Sequence, residues 1–235
     1  MSRIVYLVGP EGAGKSTNAR LLKRYLEGYL GRCVVIPTPE IRSRNLFADV
    51  LARFLMRIGR IEYEVRPEGQ WVRKVDTVFM RRIYKLWIFI EVVNFLLAYF
   101  IKVLPPLIFG CDVILTRFVI DFLTDMYSIA RRVNAPLRIP SLLTYVMLRL
   151  RFGIDCVVYL DAEYEVLHKR YYIRRSTIIE PRWRVEFFRA VSKKIFEFVK
   201  DEDNSTFYMD TTSMDLREVN TELIKIVMHH VYGER

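Results

Sequence analysis

Cysteine is scarce in this chain: three residues in 235, at positions 33, 111 and 156. They are odd in number and widely spaced, and no C-x-x-C pair or nearby histidine completes a zinc or redox motif. Unpaired, reduced cysteines in a cytoplasmic compartment are the expectation. Gln70 is the sole glutamine, and internal repeats, low-complexity tracts and Gly/Ser linkers are missing. A single domain over 1–235 is therefore expected. Long uninterrupted apolar runs are missing too. The most apolar stretch, Leu86 to Ile101 with Val103 to Phe109, is broken by Glu91, Asn94 and Lys102 and meets Pro105-Pro106, short of the ~20 residues that a bilayer needs. An integral membrane span is excluded on that ground. A buried helix or a homodimer interface is expected instead, with peripheral membrane contact left open. Met1-Ser2-Arg3 leads directly into the first apolar run, which leaves no room for a targeting peptide.

Charge is abundant. The formal net charge is +10, which suits phosphate-bearing partners. No recognition-helix, zinc-finger or RNA-binding signature accompanies it, so nucleic acid is not expected as a partner. The charge is read as a surface that attracts nucleotides.

Gly9-Pro10-Glu11-Gly12-Ala13-Gly14-Lys15-Ser16-Thr17 satisfies G-x-x-x-x-G-K-[ST] directly after the apolar run Ile4 to Val8. Glycines there let backbone N–H groups and a helix N-terminus point at a phosphate, with Lys15 reaching the β and γ phosphates and the Ser16 hydroxyl on Mg²⁺. ATP and Mg²⁺ are the expected ligands. Five β-rich runs, Arg3–Val8, Cys33–Pro37, Asp112–Thr116, Cys156–Leu160 and Phe207–Met209, alternate with helical patterns, the rhythm of a parallel sheet. The first helix should run from Lys15 to about Tyr29, burying Leu21, Leu22, Tyr25 and Leu26. The last should start near Ser213, with Asp215 in its first turn, and bury Leu216, Val219, Leu223, Ile226 and Val227.

Three further regions carry polar residues to strand ends. Thr116-Arg117-Phe118 places Arg117 at the carboxyl edge of the sheet, where ligands of open α/β folds bind. Tyr159-Leu160-Asp161 is followed by His168, Lys169, Arg170, Arg174 and Arg175, and Asp210-Thr211-Thr212 follows the fifth run. With GPEGAGKST at 9–17, TRF at 116–118, YLDAEYEVLHKR at 159–170 and the stretch from Glu180, these residues make the chain resemble the thymidylate kinase-like P-loop kinases.

The resemblance implies an α/β P-loop fold, a five-stranded parallel sheet flanked by helices, with a helical lid at about 170–182 and a divergent acceptor-side helical region at about 38–110. It implies phosphoryl transfer from ATP to a nucleoside monophosphate, dTMP first, by a homodimeric enzyme. Arg117 would hold the phosphoryl groups. One lid arginine, from Arg174, Arg175 or Arg170, would complete the site on closure, and Asp210 and Thr211 would lie on the adenine side. Thr116 stands where that family has an aspartate, so Asp121 or Asp161 is assigned the metal in its place. The family's thymine-reading residues are not visible. Acceptor contacts are assigned to Glu11, Thr38 and Glu40, and to Trp87, Glu91 and Asn94, which fall three or four apart on one helix face. A nucleoside, sugar or lipid-linked alcohol acceptor, with Asp121 or Glu11 as base, and a nucleotide-binding regulator without efficient transfer, are the alternatives.

Overall fold

The structure is a computed structural model that describes residues 2–37, 57, 61–65, 71–75, 77–149, 152–174, 182–200 and 205–233. Elements follow in chain order: β1 (Ile4–Val8), α1 (Lys15–Leu30), β2 (Val34–Val35), β3 (Ile61–Val65), β4 (Trp71–Val75), α2 (Thr77–Ala98), a π turn (Tyr99–Val103) and α3 (Leu104–Ile108). Then come β5 (Asp112–Leu115), α4 (Val119–Arg132), α5 (Arg138–Arg149), β6 (Cys156–Asp161), α6 (Tyr164–Arg174), α7 (Arg182–Lys200), β7 (Thr206–Asp210), α8 (Leu216–Val227) and a second π turn (Met228–Tyr232).

Five strands form one parallel sheet in the order β2-β5-β1-β6-β7. A strand buried on both faces reads as a continuous apolar run, and β1, Ile-Val-Tyr-Leu-Val, is buried at every position. Alternation divides its side chains between two cores. Ile4, Tyr6 and Val8 pack with α2 and α4, whereas Val5 and Leu7 pack with Leu22 and Leu26 of α1 and with Val219, Leu223 and Val227 of α8. The expected first helix agrees to within a residue and ends at Gly31 in the left-handed region (φ 61°). The last differs at its start. Asp215 is the N-cap, accepting from the Arg217 and Glu218 N–H groups, and Leu216 is exposed because it falls on the outer side of the first turn.

Three expectations are corrected. The acceptor-side region is not wholly helical, since β3 and β4 form an antiparallel pair with Ile61 opposite Val75 and Val65 opposite Trp71. The apolar stretch is not interrupted as a helix. It continues from Thr77 to Ile108, 32 residues with a mean hydropathy of 1.9 in its most apolar window. Pro105 and Pro106 do not end it, because they occupy the first turn of α3, where a missing N–H costs no bond. By length and composition it could cross a membrane, yet its inner face, with Tyr84, Ile88 and Phe95, is buried against the core.

The third correction concerns the cysteines. Cys33 and Cys111 immediately precede β2 and β5, whose register sets Val34 opposite Asp112. The two cysteines are thereby cross-strand neighbours with Cα atoms 4.7 Å apart, and they form a disulfide; Cys156 is free and buried. The inference of a reduced compartment loses its basis. The bond closes a separation of 78 residues and so restricts the unfolded chain substantially. Reduction, or Cys33→Ser, is expected to lower stability by about 2–4 kcal/mol, measured as the shift in denaturant midpoint with and without reductant; an unchanged midpoint would show that the bond does not form.

Candidate phosphoryl-transfer site

β1 delivers the chain at Val8 into a loop that turns on three glycines. Gly9, Gly12 and Gly14 have φ of 139°, 89° and 84°. A Cβ on Gly9 would lie 2.0 Å from the Leu160 carbonyl oxygen, and one on Gly12 would lie 2.5 Å from that of Leu167. The loop is thus pressed against the end of β6 on one side and the backbone of α6 on the other. Ala13 is buried beneath it. Gly14 is the N-cap of α1 and supplies no side-chain acceptor, and the first turn carries no acid. The positive end of the helix is left facing the loop, the arrangement that binds phosphate.

Lys15 is buried and curls over this loop, its Nζ donating to the carbonyls of Gly9 and of Pro10 (2.9 Å). Ser16 and Thr17 follow in the first turn of α1, both half-buried. The residues fit a nucleoside triphosphate: a cradle that a single Cβ would fill, an uncapped helix and a cation. Among the described residues no group of three histidine, cysteine or acidic side chains could hold a metal ion by itself. The fit for Mg²⁺ is therefore the Ser16 hydroxyl together with phosphate and water oxygens, the pattern usual for that ion.

Across from Lys15, Arg117 follows the end of β5. Its Nη2 donates to Glu11 Oε1 at 2.5 Å, which ties it to the tip of the loop. Thr116, just before it, is buried. A cavity of about 160 Å³ opens here. Gly9, Pro10, Glu11 and Lys15 form one wall; Arg117 with Asp121, Thr124 and Asp125 of α4 forms the second; and Val185, Phe188 and Ser192 of α7 form the third.

Sequence reasoning missed Thr124, Asp125 and the α7 wall. The signal for Asp125 is the four-residue step Arg117, Asp121, Asp125, one face of a helix. For α7 it is the spacing 185, 188, 192 in the stretch from Glu180. Asp121 lines the cavity, but its Oδ2 accepts from Tyr6 Oη (2.7 Å) and from the Phe118 N–H (3.3 Å). Burial, then the charge of Asp121, pushes the Tyr6 hydroxyl well above its ordinary value, which keeps it protonated as the donor.

Several assigned residues have other occupations. Asp161 is fully buried and takes four donors: Arg189 Nε and Nη2 (2.7 and 2.9 Å), Tyr208 Oη (2.8 Å) and the Ala162 N–H (2.9 Å). With its lone pairs filled from protein it is not a metal ligand. Arg170 is engaged at the loop after β7, which it braces by donating to Thr211 Oγ1 and to the carbonyls of Thr211 and Met214. Thr211 is itself fully buried, its hydroxyl donating to the Asp161 carbonyl, so its side chain cannot touch adenine. Asp210 is exposed and accepts from the Thr212 N–H and hydroxyl, which hold its carboxyl below the usual range. It shapes the turn.

Trp87, Glu91 and Asn94 do not line the cavity among the described residues. Trp87 packs against the core, Asn94 is buried, and Trp87 Nε1 and Asn94 Nδ2 have no hydrogen-bond partner among the described residues. α2 packs behind α4 through Phe95, whose ring lies 4.9 Å from Phe118 and 4.8 Å from Phe122. Thr38, Glu40 and Arg175 lie outside the described residues, and of Arg174 only the backbone, the last residue of α6, is described.

No protein-family model matches the chain, and no curated protein matches it. Among solved structures it is similar to a crystal structure of thymidylate kinase from Ehrlichia chaffeensis, with a TM-score of 0.54 over 96% of this chain and 98% of that one, at 17% identity. The fold is that of the thymidylate kinase-like P-loop NTPases.

The glycine contacts rank three substitutions. Gly9→Ala should be the most damaging and Gly12→Ala next, each colliding with backbone. Gly14→Ala, whose nearest neighbour is the movable Asn18 side chain at 3.1 Å, should cost about 1–2 kcal/mol for its positive φ. Denaturant midpoints check the order. Tyr208, pushed up to about 12 by burial and then by its bond to Asp161, contributes stability that is complete below the unfolded tyrosine value of about 10 and is lost as pH rises through the folded one. Unfolding followed from neutral to strongly alkaline pH should show stability falling only above about pH 10, and less steeply in Tyr208→Phe.

Proposed function

We propose that this chain is an ATP-dependent phosphotransferase that moves the γ-phosphoryl group, with Mg²⁺, to a nucleoside monophosphate, dTMP first. The observation that carries the reading is the cavity bounded by Lys15 on one wall and Arg117 on another, at the mouth of a glycine cradle that a Cβ would close.

Phosphoryl transfer asks little covalent chemistry of the protein and much positioning of positive charge. Lys15 leaves the Gly9 and Pro10 carbonyls to meet the phosphates, and the loop N–H groups and the start of α1 hold them. Arg117 neutralises charge on the equatorial oxygens in passage. Ser16 would hold the Mg²⁺, which supplies further neutralisation of the phosphates when bound. The α7 wall, with Val185 and Phe188, limits water around the acceptor. An acceptor that is already a phosphate attacks through an ionised oxygen and needs no base.

One observation favours a second reading. Asp121, Thr124 and Asp125 place two carboxylates and a hydroxyl on the wall next to Arg117. Carboxylates there suit hydrogen bonds from hydroxyl groups, and one of them could take the proton of an attacking alcohol, so a nucleoside or sugar is the rival acceptor.

ADP release from Mg·ATP with dTMP, other nucleoside monophosphates, nucleosides and simple sugars as separate acceptors decides between them. Turnover with a monophosphate that disappears in Lys15→Ala and falls about 10²–10³-fold in Arg117→Ala supports the first reading. Turnover confined to hydroxyl acceptors, and lost in Asp121→Asn or Asp125→Asn, supports the second. Lys15-dependent ATP binding with no turnover anywhere overturns both and leaves a nucleotide-binding regulator.

A further inference from the structure

We propose that the outer face of the helical rod Thr77–Ile108 is an interfacial anchor that lies flat on an anionic lipid surface. The proposal is independent of which acceptor the site takes. Along one side the rod is fixed to the protein, with Met80, Tyr84, Ile88, Phe95 and Ala98 buried. Lipid cannot surround it in this fold, so a flat contact is the one membrane geometry available.

The opposite side is apolar and open. Leu86, Phe89, Val93, Leu97 and Ile101 succeed one another at three- or four-residue steps on one stripe. Phe89 is 65% exposed and Ile101 68%; at the far end Ile108 and Phe109 stand out at 71% and 83%. Scattered exposed apolar residues are ordinary, but a contiguous stripe marks a contact surface.

Charge identifies what is contacted. From residue 77 to 109 there are four cations, Arg81, Arg82, Lys85 and Lys102, and one acid, Glu91. The first three are exposed at the leading end of the stripe, whereas Glu91 is half-buried and engaged within the protein. A second copy does not complement this pattern. Packed antiparallel, it would set Arg81, Arg82 and Lys85 on the apolar end near Leu97 and Ile101; packed parallel, it would set them on each other. Neither arrangement brings an acid of the rod against them, since Glu91, its one acid, is engaged within the protein. A layer of lipid phosphates over acyl chains supplies both halves, because apolar side chains insert below the headgroups while Lys and Arg are attracted to the anionic surface.

The test is sedimentation of the full chain with vesicles of phosphatidylglycerol and phosphatidylcholine, and with phosphatidylcholine alone, at low and high salt, with light scattering in the absence of vesicles. Two variants accompany it, Phe89→Ser/Ile101→Ser and Arg81→Glu/Arg82→Glu/Lys85→Glu. All five positions are exposed, and unchanged unfolding midpoints would confirm the fold. The expected result is salt-sensitive binding to the anionic vesicles, weakened at least about tenfold in either variant. Failure to bind anionic vesicles, or binding indifferent to Phe89→Ser/Ile101→Ser, overturns the proposal. A dimer that Phe89→Ser/Ile101→Ser dissociates, without vesicle binding, assigns the face to a second copy.

Discussion

The Asp161 carboxylate is the point on which the nucleotide side of the fold depends. It closes β6 with no exposure to solvent, yet every oxygen has donors: the Arg189 fork from α7, the Tyr208 hydroxyl from β7 and the next backbone N–H. Its carbonyl takes the Thr211 N–H and hydroxyl, and that hydroxyl in turn accepts from Arg170 of α6. Two strands and two helices thus meet at one buried charge. A carboxylate in such a place is tolerated only when paired and fully hydrogen-bonded, and removing one partner leaves an uncompensated charge. The loop at Gly9 rests on the neighbouring Leu160 carbonyl, so whatever holds the end of β6 also holds the phosphate cradle.

The other end of the sheet uses the same device with different members. Asp112 accepts from the Arg3 N–H, the Arg32 guanidinium and the Tyr232 hydroxyl, and Asp155 accepts from the Ile4 N–H and the Arg3 side chain. With the Cys33–Cys111 bond beside it, this edge is anchored by charge and by a covalent link, while the carboxyl edge is left with groups that can exchange partners. Tyr6 joins the core under α2 and α4 to the site. Its ring is fully buried in the sheet, edge-on to Phe118 at 6.0 Å, and its hydroxyl holds Asp121 at the cavity wall.

The five parallel strands are legible because each lies in a short apolar run of three to six residues bounded by polar or glycine residues, and the cradle because its spacing has one common use. β2 shrank from five residues to two, since only Val34 and Val35 find a partner in β5. The β3–β4 pair was missed, although Ile61-Glu-Tyr-Glu-Val65 alternates with period two; an apolar helix expected nearby drew the reading toward helix. The disulfide could not be read from spacing, because the pairing depends on β2 and β5 being neighbours across 78 residues. The side-chain roles failed for a general reason. A strand-end position predicts that Asp161 and Arg170 sit near a ligand, but not whether protein donors and acceptors already fill them. Asp125, one of two acids four residues apart in α4, looks like surface in the sequence until the fold turns that face inward.

Two arginine–carboxylate pairs of similar geometry flank the cradle, and burial separates their roles. Arg189 and Asp161 meet at 2.7 Å with the carboxylate wholly out of water; opening that pair would strand a charge at a cost of several kcal/mol, so it is a fixed strut. Arg117 and Glu11 meet at 2.5 Å with both side chains over 40% exposed. A pair open to water contributes about 0–1 kcal/mol, and water solvates either partner when it leaves. A phosphate oxygen arriving at the loop competes with Glu11 for Arg117 against almost no barrier in free energy. Lys15 donates to the carbonyls of Gly9 and Pro10, neutral acceptors that a charged phosphate oxygen would replace. The site therefore keeps its two mobile cations on cheaply replaced partners and its geometry on an expensive one, which is the division of labour that a charge-handling loop requires.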